Sequence, residues 1–232
     1  DYYLPERGSL VKSDVQDFIK RLRDRLDYPP ISYFLCGEYG DQSMRPHYHM
    51  ILFGVDFPDR KLWSIKNEQR LYTSAFLESV WGLGHCPIGS VTFESAGYVA
   101  RYIMKKQTGK NAYEHYERFD PHTGEIYDLL PEYVNMSLKP TIGRRFYDKY
   151  KFDMYEKDEV LINKHPSRPP RYYDLLFKKE HPDLWEDVCI NRGLNIDKLL
   201  KDEDYVFNHS PERLIVQEQV KIKQIQSLVR SL

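Results

Sequence analysis

Two apolar runs separated by a short polar turn constrain the fold of this chain more than any other feature. Residues 31–39 (ISYFLCGEY) and 47–54 (HYHMILFG) are rich in aromatic and β-branched side chains, which favour strands. The Gly-Asp-Gln-Ser sequence at 40–43 is typical of a turn. The sequence therefore predicts a β-hairpin, with both strands in one sheet.

The hairpin would bring three potential metal ligands together. Alternate side chains of a strand share a face, so His47 and His49 are expected to point the same way. Glu38 lies near the end of the first predicted strand and can supply an oxygen ligand from the neighbouring strand. Two imidazoles and a carboxylate suit Mn²⁺, Mg²⁺ or Zn²⁺. The alternative interpretation is that the two histidines belong to a solvated polar face.

A second motif lies at residues 94–106 (ESAGYVARYIMKK). On a helix, Tyr98 and Tyr102 lie about 40° apart around the axis, with Arg101 and Lys105 on the same side. The apolar residues cover the opposite arc: Ala96, Val99, Ala100, Ile103 and Met104. Tyrosines at this spacing are usually packing residues. Here they fall outside the apolar arc and beside cations, which favours a chemical role.

The two motifs together predict phosphodiester chemistry. A bound metal ion would offset charge on the non-bridging oxygens of a phosphodiester. A nearby Lys105 or Arg101 would favour the phenolate form of a tyrosine, which attacks phosphorus to give a covalent phosphotyrosine. A second tyrosine one helical turn away would allow two successive transesterifications at one site.

The wider pattern predicts an α+β fold with a central antiparallel sheet and flanking helices, because helical and strand periods alternate along residues 9–107. Helices are expected near residues 9–27, 69–81 and 95–107, and strands near residues 31–39, 47–54 and 88–93. The core is expected to end at residue 112. Residues 113–232 would form a DNA-binding C-terminal extension packed on the core.

Two local signals fall within the predicted extension. Residues 120–125 (DPHTGE) indicate a hairpin tip. Ser210 and Pro211 indicate the start of the helix in which the extension ends, with Ser as its N-cap and Pro at its first position.

Composition limits the partners. The 232 residues carry a net charge of −1, so any nucleic-acid binding must come from local patches. Cations alternate with aromatic residues at 143–151 and 168–173, which suits single-stranded nucleic acid, although a solvated face with buried tyrosines would look the same. The candidate DNA-binding cations are Arg101, Lys106, Arg144, Arg145, Lys149, Arg168 and Arg171.

The cysteines and the hydropathy bear on location. Three scattered cysteines form neither a disulfide scaffold nor a sulfur-type zinc site, which favours a reducing cytoplasm. No apolar run approaches the length that spans a membrane.

The motifs resemble those of HUH endonucleases, the initiators of rolling-circle DNA replication. The strand HYH is similar to their metal motif, and YVARYIMKK is similar to the two-tyrosine motif of bacteriophage initiators. Further stretches resemble the replication initiators of small single-stranded DNA phages of the microvirus, gokushovirus-like type: GSLVKSDVQDFIKRLRDRL, GEYGDQSMRPHYHMILFG, VTFESAGYVARYIMKK, RPPRYYD and SPERL.

The resemblance implies a role for each residue. His47 and His49 would bind Mg²⁺ or Mn²⁺ with Glu38 as the third ligand. Tyr98 and Tyr102 would be the nucleophiles, and Lys105 fits the lysine that follows a catalytic tyrosine by three residues. The implied fold is RRM-like or ferredoxin-like. The implied partner is single-stranded DNA at a replication origin in the host bacterial cytoplasm, with a host helicase as a further candidate partner.

The sequence departs from the family at its start. Family members carry an additional strand before the segment that matches residues 1–8, and this strand is absent here. We therefore expect the sequence to be a fragment or to lack its natural start.

Two other functions are compatible with the sequence. One is a non-catalytic single-stranded DNA-binding module that recruits a host helicase through its C-terminal part. The other is a metal-dependent phosphodiesterase that uses water and leaves Tyr98 and Tyr102 as packing residues.

Overall fold

The computed structural model describes residues 4–26, 31–66, 69–139 and 141–227, with the backbone alone for Lys66, Lys105 and Asn111. Its helices are α1 Lys12–Arg25, α2 Ala75–Trp81, α3 Phe93–Arg101, α4 Asn111–Tyr116, α5 Arg144–Lys157, α6 Arg171–Glu180, α7 Pro182–Leu199, α8 Glu203–Asn208 and α9 Pro211–Gln226. Its strands are β1 Ser32–Tyr39, β2 Pro46–Phe53, β3 Lys61–Lys66, β4 Gln69–Thr73, β5 Glu117–Phe119, β6 Ile126–Asp128, β7 Tyr133–Met136, β8 Val160–Ile162 and β9 His165–Ser167. The predicted α+β class with an antiparallel sheet is confirmed.

The chain divides into two compact units, Asp1–Ile142 and Gly143–Leu232. The boundary lies later than the one predicted after residue 112. The reason is that β7 pairs antiparallel with β1, with Cys36 opposite Val134, so a strand beyond residue 112 belongs to the first unit's sheet. The packing of a C-terminal extension on the core stays a prediction.

The sheet that carries the site has the strand order β2-β1-β7. The predicted hairpin of β1 and β2 is confirmed, with Ser32 opposite Phe53 at one end and Tyr39 opposite Pro46 at the other. One face of this sheet packs on α1, which buries four apolar residues at helical spacing: Val15, Phe18, Ile19 and Leu22. The core beneath the sheet therefore holds the hairpin in place and leaves its other face for the site.

The predicted helix at 69–81 is only partly present. Residues Gln69–Thr73 form β4, which pairs with β3, and the helix begins after Ser74. The Ser74 side chain accepts a hydrogen bond from the Leu77 amide at 3.0 Å and donates one to Asp59 at 2.6 Å. Strand pairing and this cap override the helical pattern of the segment.

The predicted strand at 88–93 is wrong. Ile88 alone bridges to Tyr72. Thr92 instead caps α3, since its side chain accepts from the Ser95 amide at 3.1 Å and the Ser95 hydroxyl accepts from the Thr92 amide at 2.7 Å. This capping box begins the helix earlier than predicted. The helix runs through Arg101 and continues as a 3-10 turn, Tyr102–Lys105, which confirms most of the helix predicted at 95–107.

The second unit has its own core, formed by residues of α5, α6 and α7: Tyr147, Met154, Tyr155, Tyr173, Phe177 and Val188. Arg192 pairs with Asp158 at 2.6 Å and with Asp174 at 2.9 Å. The predicted start of α9 is confirmed, because the Ser210 side chain accepts from the Arg213 amide. In the described residues, no helix is both long and apolar enough for a membrane span.

The predicted hairpin tip at 120–125 is also confirmed. It joins β5 to β6, and the Asp120 amide donates to the Glu125 carbonyl at 2.8 Å.

Candidate active site

The β1–β2 register places the three predicted ligands on one face of the sheet. Glu38 lies directly opposite His47, and His49 lies opposite Cys36. Glu38 is buried, with 4% of its surface exposed. Its Oε1 lies 2.9 Å from Nε2 of His49, so the carboxylate and this imidazole form a hydrogen-bonded pair. Two of the predicted ligands are therefore in direct contact.

His47 contacts the turn end of the hairpin. Its ring packs against the backbone of Gly40, where an added Cβ would lie 2.8 Å from its Cε1 atom. Its side chain is exposed. Over the part of the chain that the structure describes, no group of three His, Cys, Asp or Glu side chains is arranged to hold a metal ion. The structure thus brings Glu38 and His49 together and places His47 beside Gly40 on the same strand face.

The pair fits a divalent ion in chemistry and spacing. Imidazole nitrogen and carboxylate oxygen are ligands for Mn²⁺ and Mg²⁺. Two ligands bound at about 2.1 Å and at right angles lie about 3.0 Å apart, and the observed separation of Glu38 Oε1 from His49 Nε2 is 2.9 Å. His47 is the residue on this face that can complete the set.

The tyrosine helix lies over the same face. The ring of Tyr102 stacks on the His49 imidazole, with centroids 3.9 Å apart and planes inclined by 12°. The ring of Tyr98 meets that of Tyr102 edge-on at 5.0 Å, and the two hydroxyls are hydrogen-bonded to each other. The shared face predicted for the two tyrosines is therefore directed at the sheet, and it brings both hydroxyls to one point beside His49.

The apolar arc of this helix turns away from the site. Met104 and Phe93 are each 63% exposed, while Tyr102 is 8% exposed. An amphipathic helix normally buries its apolar side. Here the polar and aromatic side packs on the ligands, which is the arrangement expected of a functional helix.

The electrostatics differ from the expectation that cations would favour a phenolate. Burial raises the pKa of Tyr102, and its hydrogen bond to Tyr98 and the nearby Glu38 charge raise it further. The Arg101 guanidinium lies over the Tyr98 ring, 5.6 Å from its centroid. The side chain of Lys105 lies outside the described residues. The cation closest to a nucleophile in the described part of the site is thus associated with Tyr98.

Sequence reasoning missed some residues around this site. Cys36 is fully buried and lies on the same face as Glu38, opposite His49. The alternation of side chains along β1 could have placed it there. Tyr116 and Glu132 form a buried hydrogen bond near the end of the tyrosine helix. No spacing in the sequence links them, because they lie on different elements.

The predicted DNA-binding cations fall into different environments. In the first unit, Arg101 is partly buried and Lys106 is exposed. In the second unit, Arg144 is paired with Asp148 at 2.8 Å and with Glu180 at 2.8 Å. The other four are exposed: Arg145, Lys149, Arg168 and Arg171. Arg144 therefore has a structural role, whereas these four cations can meet a phosphate.

Comparison with known proteins identifies the relationship. Residues 3–107 match a family described as replication-associated protein ORF2. The chain is 34% identical over 181 residues to the replication-associated protein VP4 of Bdellovibrio phage phiMH2K, covering 74% of this chain and 53% of that protein. It is 32% identical over 190 residues to the replication-associated protein ORF2 of Spiroplasma virus 4, covering 78% and 53%.

A third relative is the replication-associated protein ORF4 of Chlamydia phage 1, which is 34% identical over 108 residues. The chain spans about half the length of the first two relatives. No solved structure gives a significant match.

The matched segment contains both motifs of the site, from Glu38 in β1 to Tyr102 in the helix. The resemblance to phage replication proteins is confirmed by these matches. Residues 3–107 belong to the ORF2 family of replication-associated proteins, and the chain is a relative of phage replication proteins.

Proposed function

We propose that this chain nicks and rejoins single-stranded DNA at a replication origin by tyrosine transesterification. One observation carries the proposal. The hydroxyls of Tyr98 and Tyr102 meet at one point, where the Tyr102 ring stacks on His49 and His49 contacts Glu38. Two candidate nucleophiles and two candidate metal ligands thus lie together, as a strand-transfer reaction at one phosphate requires.

The first step makes a covalent protein–DNA bond. The Tyr98 oxygen forms a bond to phosphorus while the bond from phosphorus to the 3′ oxygen breaks. The tyrosine hydroxyl loses its proton to solvent, and the released 3′ oxygen takes one up. The product is a 5′-phosphotyrosine and a free 3′ hydroxyl, so the bond energy is kept for rejoining.

The protein side of this step falls to groups already in place. Arg101, next to Tyr98, is positioned to meet the phosphate charge. Tyr102, through its hydrogen bond, orients the Tyr98 oxygen. Glu38, His49 and His47 would hold a Mg²⁺ or Mn²⁺ ion, which supplies charge neutralisation at the non-bridging phosphate oxygens when bound.

The second tyrosine closes the cycle. Rolling-circle replication needs two cleavages, and the first leaves one tyrosine occupied by a DNA end. Tyr102 lies within hydrogen-bond distance of Tyr98 and can attack a second phosphate without release of that end. In this proposal the two tyrosines alternate as nucleophiles.

The partners follow from the chemistry and from the relatives. The substrate is single-stranded DNA, with exposed cations as candidate backbone contacts: Lys106, Arg145, Lys149, Arg168 and Arg171. Because the relatives are phage proteins, the proposed place of action is the host bacterial cytoplasm. A host helicase stays a predicted partner.

A single experiment distinguishes the candidate functions. The chain is incubated with a labelled single-stranded oligonucleotide bearing an origin sequence, with Mg²⁺ or Mn²⁺, and separated under denaturing conditions. A covalent adduct supports the proposal. Cleavage without adduct means a phosphodiesterase that uses water, and a mobility shift alone means a binding module. The Tyr98→Phe/Tyr102→Phe double variant is the control, because it keeps both rings and lacks both hydroxyls.

A further inference from the structure

Hydrogen bonds connect the strand that carries Glu38 to a segment far along the chain. Tyr39 directly follows Glu38 in β1. Its hydroxyl donates to the Leu130 carbonyl at 2.8 Å and accepts from the Leu10 amide at 3.0 Å. Tyr39 and Leu129 are both buried in one apolar cluster. The segment at 129–132 is therefore fixed to the end of the ligand strand.

The same segment holds helix α4. The Leu129 amide donates to the Tyr116 carbonyl at 2.9 Å. The Tyr116 hydroxyl donates to Oε2 of Glu132, and both residues are buried, with 5% and 3% of their surfaces exposed. A buried carboxylate without a partner is costly, so this bond joins the two elements firmly. Burial, with the bond to Glu132, raises the pKa of Tyr116 to about 12, which keeps its hydroxyl a donor at neutral pH.

The Tyr116 hydroxyl also reaches the tyrosine helix. Its oxygen accepts a hydrogen bond from the Gln107 amide at 3.0 Å. Gln107 follows the 3-10 turn Tyr102–Lys105 by two residues. The path from Glu38 through Tyr39, the segment at 129–132 and Tyr116 thus ends next to the turn that holds Tyr102.

We propose that Tyr116 and Glu132 are positioning residues that hold the Tyr102 hydroxyl in register with the Glu38–His49 pair. Tyr98 lies one helical turn further from Gln107 and is tied to the helix start at Thr92, so the network acts on Tyr102 more than on Tyr98. This inference rests on the proposed transesterification, because its effect is on which tyrosine forms the adduct.

The test measures how adducts divide between the two tyrosines. Single-turnover reactions with the oligonucleotide are digested with trypsin, and mass spectrometry quantifies the 5′-phosphotyrosine at Tyr98 and at Tyr102. We expect Tyr116→Phe to lower the ratio of Tyr102 adduct to Tyr98 adduct by about tenfold, within the roughly 100-fold that a displacement of about 1 Å can cost. The Glu132→Gln variant retains an acceptor oxygen for Tyr116 and should lower the ratio less. A general loss of stability would not change this ratio.

The matched control is Tyr113→Phe, which removes a hydroxyl from the same helix at a side chain that is 65% exposed. It should leave the ratio unchanged. An equal loss at both tyrosines, or an unchanged ratio, in Tyr116→Phe overturns the inference while leaving the proposed function intact. If Tyr116→Phe does not fold, the ratio in Glu132→Gln decides in the same way. Absence of any adduct with the unaltered chain overturns the proposed function and this inference together.

Discussion

The ring of Tyr102 covers the imidazole of His49 in a parallel stack, with centroids 3.9 Å apart. One candidate nucleophile is therefore also the cover of a candidate metal ligand. Tyr102 is 8% exposed, whereas Tyr98 is partly exposed and lies beside Arg101. The two tyrosines share a helix face but differ in access, so they are not equivalent toward an incoming strand.

We expect the single tyrosine variants to differ in rate. Tyr102→Phe keeps the accessible Tyr98 and should form adduct readily. Tyr98→Phe leaves the covered Tyr102 and should react more slowly, by about tenfold if uncovering the ring costs about 1.4 kcal/mol. Single-turnover adduct formation on a labelled oligonucleotide measures both rates.

Both single variants should retain some adduct, and the double variant should retain none. If one single variant loses all adduct and the other loses none, alternation is excluded, and the unused tyrosine has a packing or phosphate-positioning role. Equal rates in the two single variants would contradict the difference in access.

Metal binding should depend on the histidines. His47 is exposed and its ring packs on the backbone of Gly40, so His47→Ala should leave the fold intact. We expect its affinity for Mn²⁺, measured by titration calorimetry, to fall by more than the roughly 10- to 100-fold that loss of an outer-shell partner costs. Adduct formation should also stop in excess chelator.

The control for this test is His122→Ala, which removes an exposed histidine at the tip between β5 and β6. It should bind Mn²⁺ as the unaltered chain does. His49→Ala is less selective, because it removes the stack with Tyr102 as well as a ligand. Full adduct formation in excess chelator would show that no metal is needed.

DNA affinity should depend on salt through the exposed cations. Replacing Arg145, Lys149, Arg168 and Arg171 together by Ala should weaken oligonucleotide binding. The slope of log affinity against log salt should fall by about 0.7 for each phosphate contact that is lost. Fluorescence anisotropy at several salt concentrations measures both quantities.

Arg144→Ala is the matched comparison. Its guanidinium is already paired with Asp148 and Glu180, so the variant should lose stability with little change in the salt slope. A quadruple variant with unchanged affinity and slope would exclude this surface from DNA binding.

Each unit should respond to its own core substitution. Leu22 is fully buried in the first unit, and Phe177 is 1% exposed in the second. Leu22→Ala should lower the free energy of unfolding of the first unit by about 2–5 kcal/mol, and Phe177→Ala that of the second by about 3–5 kcal/mol. Hydrogen exchange resolved by peptide measures each unit. Equal loss of protection in both units from one substitution would mean that they unfold together.

The fold was predictable where the signal is local. The apolar spacing of α1, the β1–β2 hairpin and the tyrosine helix all follow from short-range periodicity. The strand predicted at 88–93 failed because Thr92 and Ser95 cap a helix there. The short strand β7 could not be predicted, since its four residues become a strand by pairing with β1.

The site was predictable in its members more than in its contacts. Strand alternation placed Glu38, His47 and His49 on one face, as the register shows. It did not indicate that His47 would lie on Gly40, nor that Tyr102 would be buried against His49. These contacts depend on how the helix crosses the sheet, and a sequence pattern carries no information on that crossing.

The pairing of β7 with β1 has a consequence for how the protein is made. β1 ends at Tyr39 and β7 begins at Tyr133, so the ligand strand waits for a distant partner. A ribosome adds about 5–20 residues per second, and contacts between distant residues form slowly because a long loop must close first. During synthesis the tyrosine helix emerges before β7, and the sheet beneath the site is completed only after both nucleophiles have left the ribosome.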